Sequence, residues 1–163
     1  MRNNIFNFSW LFNLPKYKME IKPKIGIYNL QFGMFRKNVL EILGNPDRIM
    51  TDEYDENEQK LEWNKLKLRL TFQLDENDRL TYFVSKNPNL NYGGQKLIGI
   101  DTEIVKNKIF AELVSEWEIE EYDFFQILFH EPSWLTLHSE FGEISEIEMG
   151  VPFKNENEYD WPN

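Results

Sequence analysis

The chain has 163 residues, is 41% hydrophobic and 15% aromatic, and carries a formal net charge of −10 at pH 7. That length allows one domain or two small ones with a real core, since a chain near 150 residues hides roughly 70% of its surface on folding. The absence of cysteine excludes a disulfide framework, a thiolate metal site, a thiol nucleophile and a lipid-modified N-terminal Cys. The charge is uneven: residues 1–97 sum to +3 and residues 98–163 to −13. An acidic half lacks the Lys and Arg that phosphate binding needs, so nucleic acid and anionic membranes are excluded as partners. It suits a basic protein partner, whose encounter it would speed at low salt.

The first residues, MRNNIFNFSWLFNL, place Arg2 before an apolar stretch. Asn7, Ser9 and Asn13 interrupt it, no small-residue cleavage site follows, and it is too short to span a bilayer. Residues 1–22 are therefore read as an N-terminal arm, and the protein as cytoplasmic. From Gly33, apolar Phe35, Val39, Ile42 and Leu43 share one helical face, and Gly44 and Pro46 end the helix. An acidic turn, DEYDENE, leads to a short strand, QKLEW. Next, Leu66, Leu68, Leu70, Phe72 and Leu74 alternate with Lys67, Arg69, Thr71 and Gln73, the pattern of a half-buried strand. A further strand sets Leu80, Tyr82 and Val84 on one face, and Asn87-Pro88 closes a first unit over 23–89.

Residues 90–97, with Gly93-Gly94, read as a linker to a second unit over 98–153. Its helix is predicted from apolar positions 104, 105, 109, 110, 113, 114 and 117, capped by Asp101 or Thr102. An acidic turn, EIEEYD, precedes three strands: FFQILF, WLTLHSEF with Leu135, Leu137 and Ser139 on one face, and EISEIEM after Gly142. Residues 154–163 form an acidic tail. The two passages align: Gly33 with Gly99, Tyr54-Asp55 with Tyr122-Asp123, Thr71-Phe72 with Thr136-Leu137, and Leu80 with Ile144. The expected fold is α+β, two tandem units of one helix on a three-stranded or slightly larger antiparallel sheet. Their outer faces differ, with Lys67 and Arg69 on one and Trp134, Thr136 and His138 on the other.

The stretch NLQFGMFRKNVLEILGNPD, through Gly33-Met34, Val39, Leu43-Gly44 and Pro46, resembles the opening of SmpA/OmlA and β-lactamase-inhibitor-protein-like units. Phe35 stands where those units carry a polar cap, and the second passage has no Leu-Gly-x-Pro. The resemblance implies a sheet that grips another protein. A cysteine-free, acidic version of this length is similar to the immunity proteins of bacterial toxin systems, which mask a toxin that is often basic.

No GxSxG, P-loop, HExxH or dinucleotide fingerprint occurs, and the DENEQ and DEND turns lack a calcium-loop frame. The expectation is a non-catalytic inhibitor, monomer or weak dimer, with no cofactor and no metal. Its candidate contacts are Glu116, Trp117, Glu118, Glu120, Glu121, Tyr122 and Asp123, where aromatic residues interleave with charge, together with Trp63, Trp134 and His138 on the sheet. Two alternatives stay open. One is an exported envelope-assembly module of the SmpA/OmlA kind. The other is a small hydrolase or metal protein in which His130 and His138 approach one another beside Glu131 and Glu140.

Overall fold

Period-two alternation governs the long strands of the chain in its computed structural model, which describes residues 19–163. A small three-stranded sheet comes first: β1 (Ile21–Lys22), β2 (Gly26–Ile27) and β3 (Leu30–Gln31). Helix α1 (Arg36–Leu43) follows, and Gly44, at φ 76°, ends it by donating its N–H to Leu40 O. Then β4 (Arg48–Thr51), β5 (Glu58–Trp63), β6 (Leu68–Gln73) and β7 (Arg79–Ser85) form an antiparallel meander. A hairpin of β8 (Asn91–Tyr92) and β9 (Gln95–Lys96) leads to α2 (Thr102–Ile104), which runs into a π-helical turn at Val105–Ile109. Strands β10 (Glu118–Glu121), β11 (Phe125–His130), β12 (Leu135–Glu140) and β13 (Glu143–Gly150) form a second meander. A last hairpin, β14 (Phe153–Asn155) and β15 (Glu158–Tyr159), closes the chain.

The two meanders are one sheet. Its strand order is β10-β11-β12-β13-β7-β6-β5-β4, and the last strands of the meanders pair antiparallel from Ile147↔Ser85 to Gly150↔Tyr82. This overturns the expected α+β class of two tandem helix-on-sheet units. Strands dominate, the helices are short, and one hydrophobic cluster extends from Met19 to Val151 across both meanders. Sharing the β7–β13 edge removes the two sheet edges that separate units would leave unpaired.

Several local expectations change with it. Each meander has four strands, because two outer strands join the three expected: β4, which precedes the acidic turn, and β10, whose charged, exposed residues read as turn. The apolar pattern after Asp101 is not one continuous α-helix. Phe110 N–H bonds Val105 O, five residues back, so the helix widens into a π turn that still buries Val105, Ile109 and Phe110. In β7, Leu80 does not share a face with Tyr82 and Val84. A bulge opposite Thr71/Phe72 inserts Thr81 and shifts the phase, so Leu80 and Phe83 face the core while Tyr82 and Val84 face away. Leu66 lies in a 3₁₀ turn and Leu74 is exposed beyond the strand end.

Some segments are placed more firmly than their labels suggest. Leu90 and Leu97, in the segment read as a linker, are fully buried. In the segment read as a tail, Trp161 packs against Gly33 and under Arg79. Residues 1–18 of the expected arm lie outside the described residues, and Ile21 is a core residue in β1. Among the described residues no helix is long and apolar enough to cross a membrane.

Candidate functional site

Side chains on the sheet alternate between a core face, carrying Leu70, Phe83, Leu137 and Ile147, and an open face away from α1. At the centre of the open face the β7–β13 seam brings three polar groups together. Tyr82 Oη donates to Glu148 Oε2 at 2.5 Å, and His138 Nε2 is hydrogen-bonded to Glu148 Oε1 at 2.6 Å. Glu146 Oε1 lies 3.9 Å from the same His138 nitrogen, and Lys86 Nζ is 3.4 Å from Glu146 Oε2. Burial, with the Glu148 carboxylate beside it, pushes the Tyr82 phenol well up. The hydrogen bond to Glu148 raises His138 against its own desolvation. Burial raises the Glu148 carboxyl, but the bonds from His138 and Tyr82 outweigh it and leave the group lowered. The phenol therefore stays protonated and is no nucleophile at neutral pH, while the carboxylate is held as an anion.

Beside this cluster is a cleft of about 350 Å³ with Arg69 and Lys60 on one side and Trp134, Phe153 and Tyr159 on the other. Gly150 makes the close approach possible, since a Cβ there would lie 2.6 Å from both Trp134 Cδ1 and Tyr82 Cδ2. Trp134 itself packs edge-on against Phe129 and Phe153.

The second constellation lies at the β10 end of the sheet. Tyr122 stacks on Phe125 at 4.2 Å, Phe124 meets Phe125 edge-on at 5.5 Å, and Phe124 stacks on Phe141 at 5.5 Å. The β11–β12 pairing of Phe125 with Glu140 brings them together with Phe141, which sits in the β12–β13 hairpin turn with its N–H bonded to Phe124 O. Three of these rings face solvent: Phe141 is 82% exposed, Phe124 57% and Tyr122 51%. Carboxylates ring them. Glu118, Glu120 and Glu121 are exposed on β10, Glu140 and Glu143 flank the hairpin turn, and Asp123 lies between Tyr122 and Phe124. Tyr122 Oη donates to Glu120 Oε2 at 3.0 Å, which raises the phenol. The rings and the α2 N-terminus enclose a shallow cleft of about 590 Å³.

The corresponding end of the first meander is different. There Lys60 Nζ bonds Asp52 Oδ2 at 2.6 Å and Glu58 Oε1 at 3.1 Å, and Arg48 sits on β4.

The sequence-derived candidates divide between these places. Glu116, Glu118, Glu120, Glu121, Tyr122 and Asp123 are exposed at the acidic end. Trp117 is half-buried against Phe110 and His130. Trp63 is a core residue, 5% exposed, because it lies opposite Leu68 on the inner face and donates its indole N–H to Gly44 O. Trp134 and His138 belong to the open face. The hydrolase arrangement of two histidines does not form. His130 pairs with Leu135 on the core face, whereas His138 pairs with Ile127 on the open face, so the sheet separates them. Tyr82, Glu146, Glu148, Phe124 and Phe141 were not singled out from the sequence. The alternation of Glu146 and Glu148 with Ile147 and Met149 is the signal that places both carboxylates on a polar strand face.

No family model and no curated protein matches this sequence. Two solved structures are similar to it. One is a DUF4309 family protein (YjgB) from Bacillus subtilis subsp. subtilis str. 168, at 14% identity and a TM-score of 0.48, covering 82% of this chain and 88% of that one. The other is an extracellular protein containing a SCP domain from Bacillus anthracis str. Ames, at 12% identity and a TM-score of 0.46, covering 72% of this chain. The similarity spans 43% of that protein, less than half its length.

Proposed function

We propose that this protein is a non-catalytic, cytoplasmic binding protein of the immunity type, which masks a basic protein partner at the β10 end of its sheet. The observation that carries this reading is the stack of Tyr122, Phe124 and Phe141 in solvent, ringed by carboxylates. Aromatic rings are stabilised by burial, so a cluster held outside the core has most of that gain still available for association. Such rings are the usual anchors of interfaces, and the acidic ring around them selects a basic surface and speeds encounter. Among the described residues strand β10 is a sheet edge with no further strand beyond it, while its Glu118, Glu120 and Glu121 discourage pairing with anything but a positively charged chain.

The test is coexpression with the product of the adjacent gene, followed by titration of any complex formed. A Phe124→Ser, Phe141→Ser double variant should weaken that complex by about a hundredfold or more, as loss of two anchors does. Raising the salt should slow association of the wild type. A protein that neutralises nothing and copurifies with nothing, or a double variant that binds as well as wild type, would end this reading.

A further inference from the structure

We propose that His138, Glu146 and Glu148 form a binding site for a zinc-like divalent metal ion on the open face, independently of the docking surface above. Their donor atoms lie within 4.8 Å of one another. The orientation of the carboxylates carries the inference. Each turns one oxygen toward His138 Nε2, at 2.6 Å for Glu148 Oε1 and 3.9 Å for Glu146 Oε1. Each has its other oxygen held from behind, Glu148 Oε2 by the Tyr82 hydroxyl and Glu146 Oε2 by Lys86. One imidazole nitrogen and two carboxylate oxygens thus converge, with outer contacts of the kind that orient metal ligands.

Zinc–ligand bonds near 2.0–2.1 Å put tetrahedral donors about 3.3 Å apart. His138 and Glu148 would separate, and Glu146 would approach, each by less than about 1 Å, within the reach of side-chain rotation. The ion would take the place of the proton that His138 and Glu148 share. Two cations lie nearby. Lys86 is 59% exposed and holds only the outer oxygen of Glu146, and Arg69 reaches to 4.0 Å from Glu62. A cleft of about 420 Å³ borders Glu146 and leaves room for a water as fourth ligand. The nitrogen in the donor set favours zinc or cobalt over magnesium and calcium, which prefer oxygen alone.

Equilibrium dialysis of the full chain with Zn²⁺, and visible spectroscopy with Co²⁺, test the site. The expected result is one equivalent bound, with the strong visible bands of tetrahedral cobalt. His138→Gln and Glu146→Gln should each lower affinity at least tenfold. His130→Gln, which changes the chain's other histidine on the opposite face, should bind as wild type. Glu146 is partly exposed on the open face and Gln keeps its shape, so the fold of Glu146→Gln serves as the control for a destabilised His138 variant. Absence of stoichiometric binding overturns the proposal, as does binding that survives both variants. Loss in His138→Gln with wild-type affinity in Glu146→Gln also overturns the three-ligand site.

Discussion

The hydroxyl of Tyr82 on β7 donates to the carboxylate of Glu148 on β13, 66 residues away, across the strand pair that joins the two meanders. His138 holds the other oxygen of the same carboxylate. Removing the phenol oxygen leaves half-buried Glu148 Oε2 without this donor. Tyr82→Phe should therefore destabilise the protein by about 1.5–3 kcal/mol, the range for a hydrogen bond to a charged group. Denaturant midpoints measure it. A double-mutant cycle with Glu148→Gln should give a coupling of at least about 0.5 kcal/mol, whereas strict additivity would mean that the bond contributes nothing to the seam.

Gly150 sits on the same seam, beneath the rings of Trp134 and Tyr82. Its methyl-sized gap is already filled by those rings, and Gly150 N–H bonds Trp134 O at 3.0 Å, which pins the strand in place. Gly150→Ala should cost about 1–3 kcal/mol through overpacking and should shift the tryptophan fluorescence. A variant as stable as wild type would mean that both rings turn aside freely.

His130 gives a pH dependence whose sign can be worked out. Burial, and then the positive Lys24, hold its folded pKa below the ordinary value of 6.5. As pH falls through 6.5 the unfolded chain takes up this proton first, so stability falls until the lowered folded pKa is passed. The contribution of neutral His130 is complete above pH 6.5 and declines below it. Thermal midpoints recorded from about pH 7.5 down to about pH 5.5 should drop more steeply in wild type than in His130→Gln. Parallel profiles would show that the imidazole, hydrogen-bonded to buried Ser133 at 2.6 Å, titrates as it does in the unfolded chain.

Which of these features a sequence reader can see follows from how local they are. Leu68, Leu70 and Phe72 read as one buried face because half-burial imposes strict alternation. Tyr82 reads as sharing a face with Leu80 because a bulge leaves no mark in a hydrophobic pattern, and that single inserted residue turns Tyr82 to the open face beside Glu148. Strand β10 was hidden by its own composition, since three glutamates in four residues satisfy the rule for an acidic turn and the rule for a protected sheet edge equally well. Trp63 and Trp134 both lie beside a 3₁₀ turn between two strands, yet one is core and the other faces out, because Trp63 ends β5 before its turn and Trp134 follows one. The ring stack depends on hairpin register, which pairs Phe125 with Glu140 and brings Phe124 and Phe141 together. Of the landmarks aligned in the sequence, Thr71-Phe72 corresponds to His138-Ser139 rather than Thr136-Leu137, since the bulges lie at those two steps, and Gly33 and Gly99 take equivalent bonds. Gly33 N–H bonds Leu80 O and Gly99 N–H bonds Ile144 O, each at 2.8 Å.

Lys67 and Trp134 offer the most direct comparison of the two meanders. Both follow a three-residue 3₁₀ turn, and both adopt the left-handed conformation, at φ 47°, ψ 45° and φ 48°, ψ 46°. A non-glycine residue is strained there by about 1–2 kcal/mol, part of which glycine returns as unfolded-chain entropy. The Lys67 side chain is exposed, so Lys67→Gly should stabilise the protein by about 0.5–1 kcal/mol. Trp134 relieves the same strain on substitution but loses its packing against Phe129 and Phe153. Trp134→Gly should therefore destabilise by about 2 kcal/mol or more. Denaturant midpoints that move in opposite directions at two positions of identical backbone geometry would isolate what the indole contributes. A shift of the same sign and size at both would show that the backbone alone governs these turns, and that Trp134 sits over the cleft without holding it together.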